Sequence, residues 1–292
     1  MDRDGQVKLV TQNYGCGTSS SILDYGIQDV VIVSETNYEH VFDVEDDLLF
    51  IGHDFLLFLW DTDEKLQRWI RRKDKWEHWV WCFERIDAIV PQWMQKSHFS
   101  LHQASKFCKR ILACDEDDCD KYRFDWLPQW ASCRFYDRRA TPITSDRILF
   151  SGQAGGPEYN TRNLLLRGIL DDSELSHVIE ITNTRRSLDW DGYIENLLSH
   201  RMVLNPVGIL RGLNTRAYEA LYSGRLLLQH TDGYYPRHEK MLNDYHGVRF
   251  FRDVEGLREA VKSAEIIEDQ CSLSYTNHSL YARMKSVGVE IK

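Results

Sequence analysis

Five times in succession in the second half of this chain, a short apolar run is followed by an amphipathic helical pattern. "RILFSG" precedes "NTRNLLLRGIL", "HVIEIT" precedes "LDWDGYIENLLSH", "MVLNP" precedes "NTRAYEALYSG", "LLLQH" precedes "YPRHEKMLNDY", and "GVRFF" precedes "VEGLREAVKSA". Apolar runs without strict alternation suit strands covered on both faces, and the intervening segments carry the 3.6-residue period of a helix. Repeated βα units predict a parallel sheet with helices on both sides. Right-handed crossovers then make the segment a doubly wound, Rossmann-like domain.

The first half repeats this pattern less regularly. Its strand candidates are "VKLVTQ", "DVVIVSE", "DLLFIG", "HWVWCF", "DAIVP" and "KRILAC", and its helix candidates are "SSILDYG", "EKLQRWIRR" and "SLHQASKFC". The stretch "RFDWLPQWASCRFYDRRATPITSD" has no clean period, carries Pro128 and Pro142, and reads as the crossing between two domains. The expected organisation is therefore α/β, with an N-terminal Rossmann-like domain over residues 1–140, a second over 141–264, and C-terminal helices over 265–292 packing back across the interface. Two such domains facing a cleft suit three classes of protein: a glycosyltransferase of GT-B architecture, a two-domain dehydrogenase, or a binding protein that closes on a small ligand.

Composition removes some partners. The net charge of −9 over 292 residues opposes general nucleic-acid binding, which needs a basic face for phosphates, but leaves room for a local anion pocket. The start "MDRDGQVKLV" lacks the apolar region of a signal peptide. "LLFIGHDFLLFLW" is interrupted by His53 and Asp54 and is too short to cross a bilayer. Seven cysteines without framework spacing suit reduced thiols, so a cytoplasmic protein without a transmembrane segment is expected.

The segment "LNPVGILRGLNTRAYEALYSGRLLLQHT" gathers charge between two apolar strands. Asn214 and Thr215 are both good N-caps for the helix that follows. A helix start at the edge of a sheet favours an anion, and Arg211 and Arg216 could add charge-assisted bonds to it. Glu219 falls one turn beyond Arg216, where a carboxylate could accept from a vicinal diol such as a ribose. Gly224 has the position of a glycine that ends a helix. The plainer reading of the same residues is a solvated helix start with an Arg216–Glu219 surface pair.

"NTRAYEALYSGRLLLQHT" resembles the motif of GT-B glycosyltransferases of the spore-maturation (CgeB-like) group, within the family-4-like transferases. "WLPQWA", "ILFSGQAGGPEYNTRNLLL", "YIENLLSHRMVLNP" and "YTNHSLYARM" resemble other pieces of that family in the same order, so the resemblance covers about residues 120–290. It implies a nucleotide-sugar donor held by the C-terminal domain and a glycan or other small acceptor held by the N-terminal one. It carries Glu219 over as the ribose ligand, and Arg216 with Gly155 and Gly156 as groups on the diphosphate side. Arg162 lies on the helix after that glycine loop and joins the expected clamp. One position departs from the family: Arg211 stands where retaining family-4 enzymes carry a second glutamate near the sugar. No cofactor beyond the nucleotide-sugar co-substrate and no metal is implied.

Other signals compete. "NYGCGTSS" places Gly15, Gly17 and Ser20 in a partial dinucleotide fingerprint, with Glu35 closing the next strand, so an NAD(P)-dependent oxidoreductase is one alternative. A catalytically idle sugar-nucleotide binder is another, given Arg211. His53, Asp54 and Glu84 end strand candidates and are the expected bases for an inverting transfer. His98 and His102 have i, i+4 spacing without an obvious third metal ligand. "CDEDDC" reads as a solvated acidic loop, and the nine tryptophans mostly as core, with one or two available to stack on a sugar.

Overall fold

The computed structural model describes residues 7–12, 17–27, 30–33, 48–52, 79–82, 110–182, 188–208, 213–233, 235–243, 245–264 and 276–289. The chain divides into two compact units. One holds residues 1–14, 25–128 and 283–292; the other holds residues 15–24 and 129–282. The main change of unit thus falls after Pro128, inside the segment "WLPQWA".

In the first unit, β1 (Val7–Gln12), β2 (Val30–Val33), β3 (Leu48–Gly52), β4 (Trp79–Cys82), β5 (Arg110–Ala113) and β6 (Asp125–Trp126) form one sheet in the order β2-β1-β3-β4-β5-β6. All of its pairings are parallel. Val80, Trp81, Leu112 and Ala113 are buried, so the central strands are true core. The strand candidate "DAIVP" and the helix candidates "EKLQRWIRR" and "SLHQASKFC" lie outside the described residues.

One expectation fails here. "CDEDDC" is not a solvated loop: α2 spans Glu116–Tyr122, following α1 at Gly17–Asp24. Asp115 caps α2, its Oδ1 accepting from the N–H groups of Asp117 and Asp118 at 3.1 and 3.3 Å. Three carboxylates in the first turn favour the positive end of the helix dipole, and Arg123 ends the helix in the left-handed region at φ 59°. The crossing segment, which lacks a clean period, is also structured. It contains β6 and the short helix α3 (Cys133–Asp137), which is capped by the Ser132 hydroxyl accepting from the Arg134 N–H.

The second unit holds β7 (Ser145–Ser151), β8 (Ile179–Thr182), β9 (His200–Asn205), β10 (Leu226–His230) and β11 (Val248–Phe251) in the order β11-β10-β9-β7-β8, all parallel. Besides α1 and α3, it holds α4 (Asn160–Asp171), α5 (Leu175–Val178), α6 (Trp190–Ser199), α7 (Thr215–Tyr222), α8 (Pro236–Leu242) and α9 (Val254–Ala264). A last helix, α10, spans Leu280–Ser286. Alternate strand residues point to opposite faces. Ile148, Phe150, Met202, Leu204, Leu226 and Leu228 pack with Leu165, Leu166 and Ile169 of α4 and Leu257 and Val261 of α9. Leu149, Val203 and Leu227 pack on the other face with Ile194, Leu197 and Leu198 of α6 and Ala217, Tyr218 and Leu221 of α7. Covering both faces explains why these strands read as unbroken apolar runs.

Within each unit the strands follow the same order, with the first strand between the second and the third. The chain therefore reverses direction of winding between β1 and β3, and again between β7 and β9. At such a switch point the flanking loops diverge and leave a crevice at the carboxyl ends of the strands.

Behind this edge, α7 ends in a Schellman motif. The Gly224 N–H donates to Leu221 O at 3.2 Å and the Arg225 N–H to Ala220 O at 2.8 Å, with Gly224 at φ 71°. The glycine is legible in the sequence as a helix stop. The next residue carries no such signal, yet Arg225 is one of the most buried side chains, at 1% exposure. Its guanidinium donates to the carbonyls of Leu198, Arg139, Ser223 and Thr141.

Candidate functional site

The switch point of the second unit gathers Arg162, Arg216 and Glu219 of the charged residues expected at the site. β7 ends at Ser151 and β9 at Asn205, side by side. Helix α7 begins beside them with Asn214 as its N-cap, whose Oδ1 accepts from the Arg216 N–H at 3.1 Å. Thr215 turns away from the cap, and its hydroxyl donates to Gln129 Oε1 at 2.7 Å.

Arg216 reaches back over the strand ends. Its Nε donates to Ser151 O at 2.6 Å and its Nη1 to Asn205 Oδ1 at 3.0 Å. Asn205 is held in turn, its Nδ2 donating to Gln229 Oε1 at 2.7 Å, while Gln229 Nε2 donates to His230 O at 2.7 Å. This chain of buried amides fixes which face of Asn205 meets the arginine.

Arg162, from the first turn of α4, comes to the same place. Its Nη1 donates to Gln153 O at 2.7 Å. The Phe150 ring lies under both guanidinia, with the Arg216 carbon 4.9 Å and the Arg162 carbon 5.7 Å from its centroid. Arg162 also lies over Tyr159 at 4.8 Å. Only 5% of Arg162 is exposed. Burial, and secondarily repulsion from Arg216, push its pKa down to about 9, so it remains a cation at neutral pH.

Neither arginine has an ion-pair partner among the described residues, Arg162 Nε is buried without a hydrogen bond, and so is the Ser151 hydroxyl. Arg162 is a buried cation that has lost most of its water, and the half-buried Arg216 beside it repels it. An anion bound between them would relieve both costs.

Glu219 is not the surface partner of Arg216 that the plainer reading of the sequence suggests. It is 1% exposed, and one carboxylate oxygen accepts the hydroxyl hydrogen bond of Tyr193 from α6. Burial pushes its pKa up to about 7, against the opposing effects of the Tyr193 hydrogen bond and the Arg216 charge. Burial, and next the neighbouring Glu219, push the Tyr193 hydroxyl well above its ordinary range. Because the unfolded carboxyl titrates near 4.5, the folded chain binds more protons between that pH and about 7. Stability contributed by protonated Glu219 is present at acid pH and is lost as pH rises through this window. Glu219→Gln should remove that slope. Denaturant unfolding at pH 5 and pH 7.5 should show the parent losing up to about 3 kcal/mol relative to the variant across the interval. Parallel pH dependences would show that Glu219 titrates normally.

The glycine loop is held from within. Gly155, at φ 107°, donates its N–H to Asn163 Oδ1 at 2.9 Å, and Asn163 Nδ2 donates to Gly156 O at 3.0 Å. The Gly155 N–H is therefore engaged with α4, and the cationic part of the site is supplied by side chains.

No protein-family model and no curated protein matches this chain by sequence. Solved structures do resemble it. An α-glucosyltransferase in complex with UDP and a 13-mer DNA containing a central A:G mismatch superposes at a TM-score of 0.55 over 99% of this chain and 96% of its own, with 8% identity. The fold is that of the GT-B glycosyltransferases. Two others superpose at a TM-score of 0.36: the spinosyn forosaminyltransferase SpnP, with 12% identity over 92% of this chain and 88% of its own, and the glycosyltransferase SnogD from Streptomyces nogalater, with 11% identity over 98% and 100%. The GT-B assignment rests on the first.

Of the residues expected at a GT-B site, Arg162, Asn214, Arg216 and Glu219 gather at the second switch point, with Gly155 and Gly156 in the adjoining loop. Thr215 is committed to Gln129. Arg211, His53, Asp54 and Glu84 lie outside the described residues, as do Gly15, Glu35, His98 and His102. Among the described residues no group of metal-ligating side chains converges, and no helix is long and apolar enough to cross a membrane. Sequence reading missed Tyr193, Asn205, Gln229, Ser151 and Asn163. Only Asn205 carried a signal, as the polar end of the apolar run "MVLNP".

Proposed function

We propose that the second unit binds the diphosphate of a nucleotide sugar between Arg162 and Arg216, and that the protein transfers the sugar to an acceptor. The observation that carries this reading is the pair of guanidinia at the switch point, above Phe150: Arg162 buried without an ion-pair partner among the described residues, and Arg216 half-buried beside it. The GT-B fold supports it independently, and so does the resemblance of "NTRAYEAL" to the spore-maturation transferases. Glu219 accepts from the ribose hydroxyls in this reading, and Tyr193 holds the carboxylate in place.

Breaking the bond between the sugar and the diphosphate leaves negative charge on the leaving phosphate. Fixed cations stabilise that charge without reorganising during the reaction. In this reading the arginines take the place of a metal ion on the diphosphate, as the metal-independent transferase expected from the sequence requires. The acceptor belongs to the first unit, with a base drawn from His53, Asp54 and Glu84. Alanine variants at these three positions should include one whose turnover falls about a hundredfold with donor affinity intact; full activity in all three would place the base elsewhere or point to retention without one.

A thermal-shift panel of UDP-, GDP-, ADP- and dTDP-sugars against NAD(P) tests the donor assignment. Stabilisation by a nucleotide sugar supports it, and stabilisation by NAD(P) alone would replace it with the oxidoreductase reading. Release of nucleoside diphosphate then separates a transferase from an idle binder. The acceptor screen should include small glycans and also duplex DNA, because the α-glucosyltransferase of the same fold was solved with DNA. The charge of −9 favours a small acceptor.

A further inference from the structure

The two arginines reach the site by crossing over one another's loops. Arg162 starts on α4, after the β7–α4 loop, but its guanidinium lies against Gly208 in the β9–α7 connection. Arg216 starts on α7, after that second connection, but its guanidinium lies against Gly152 in the β7–α4 loop. A Cβ added at Gly152 would overlap Nη2 of Arg216 and stand 3.0 Å from its Cζ; one added at Gly208 would overlap Nη2 of Arg162 and stand 3.0 Å from its Cζ. Neither glycine needs its flexibility for a left-handed backbone, since neither has a positive φ. What each position requires is the absence of a side chain.

We propose that Gly152 and Gly208 are positioning residues, reciprocal seats that set the two guanidinia at the spacing of one shared anion. This rests on the reading of the arginine pair as a diphosphate site. Each guanidinium is held from one side by an acceptor on the β7 side, Ser151 O for Arg216 and Gln153 O for Arg162. Gly208 meets Arg162 from the β9–α7 connection, whereas Gly152 adjoins Ser151 in the same loop and Asn205 Oδ1 holds Arg216 from the β9 side. A methyl group at either seat meets the far end of a flexible side chain rather than backbone. It therefore displaces the charged head while leaving the fold intact.

The test is a set of double-mutant cycles. Affinity for UDP, GDP, ADP and dTDP, and for inorganic pyrophosphate, is measured by calorimetry for the parent, Gly152→Ala and Gly208→Ala. The same glycine changes are made in Arg216→Lys and Arg162→Lys backgrounds, which keep a cation but lack the fork that meets the new methyl. Gly152→Ala should weaken binding about tenfold in the parent and less than about twofold in Arg216→Lys, and Gly208→Ala should behave likewise with Arg162→Lys. Melting temperatures near the parent value confirm folding of each variant. Undiminished affinity in both glycine variants overturns the proposal, and so does an equal loss in arginine and lysine backgrounds. If the parent binds pyrophosphate but no nucleoside diphosphate, the nucleotide reading fails while the cycles still decide the seats. If it binds neither, both fall.

Discussion

Arg216→Ala should lower turnover by about a thousandfold while weakening affinity for the intact donor much less. The reason lies in how the side chain is fixed. Nε is tied to Ser151 O and Nη1 to Asn205 Oδ1, and the amide chain through Gln229 holds Asn205 itself. The charge is therefore in place before the reaction and need not move as the sugar bond breaks. An interaction that strengthens as charge develops lowers the barrier, whereas one equal in both states only tightens binding. Release of nucleoside diphosphate, measured beside donor affinity, separates the two effects. Equal loss in both would make Arg216 a plain binding group, and no loss in either would remove α7 from the site.

Arg225→Met should destabilise the second unit by about 3–5 kcal/mol. Its guanidinium joins four carbonyls that lie far apart in sequence: the end of α6 at Leu198, the turn after α3 at Arg139 and Thr141, and the end of α7 at Ser223. Methionine fills much of the volume but donates nothing, so buried carbonyls lose their partner and each costs about 1–3 kcal/mol. The denaturant midpoint should fall while the dependence on denaturant stays unchanged. A midpoint within error of the parent would show that water reaches these carbonyls and replaces the arginine.

The central strands β7, β9 and β10 of the second unit were legible because each is covered on both faces. "LLLQH" marks β10 residue for residue, and "VEGLREAVKSA" marks α9 in the same way. The acidic segment 114–119 was misread although its capping chemistry was visible: Asp115 followed by three acids is a helix start, and their number was read as solvation instead. The site was legible in part. Arg216 and Glu219 belong to one motif, and Arg162 follows a glycine loop. That Arg162 and Arg216 meet depends on β7 and β9 being neighbours, which is a property of strand order. Glu219 is buried because all of α7 from Ala217 to Tyr222 is buried, so its charge gave no guide to its exposure. Its partner Tyr193 sits on another helix, and no spacing rule in the sequence connects the two.

The central claim is that the arginine pair at the second switch point holds a nucleotide diphosphate. Calorimetric titration of UDP, GDP, ADP and dTDP into the parent, Arg162→Ala and Arg216→Ala tests it most directly. At least one nucleotide should bind the parent with one-to-one stoichiometry, and each substitution should weaken that nucleotide about tenfold or more, the cost of a charged hydrogen-bond partner, with folding intact. Binding that is indifferent to both arginines, or no nucleotide binding at all, would contradict it.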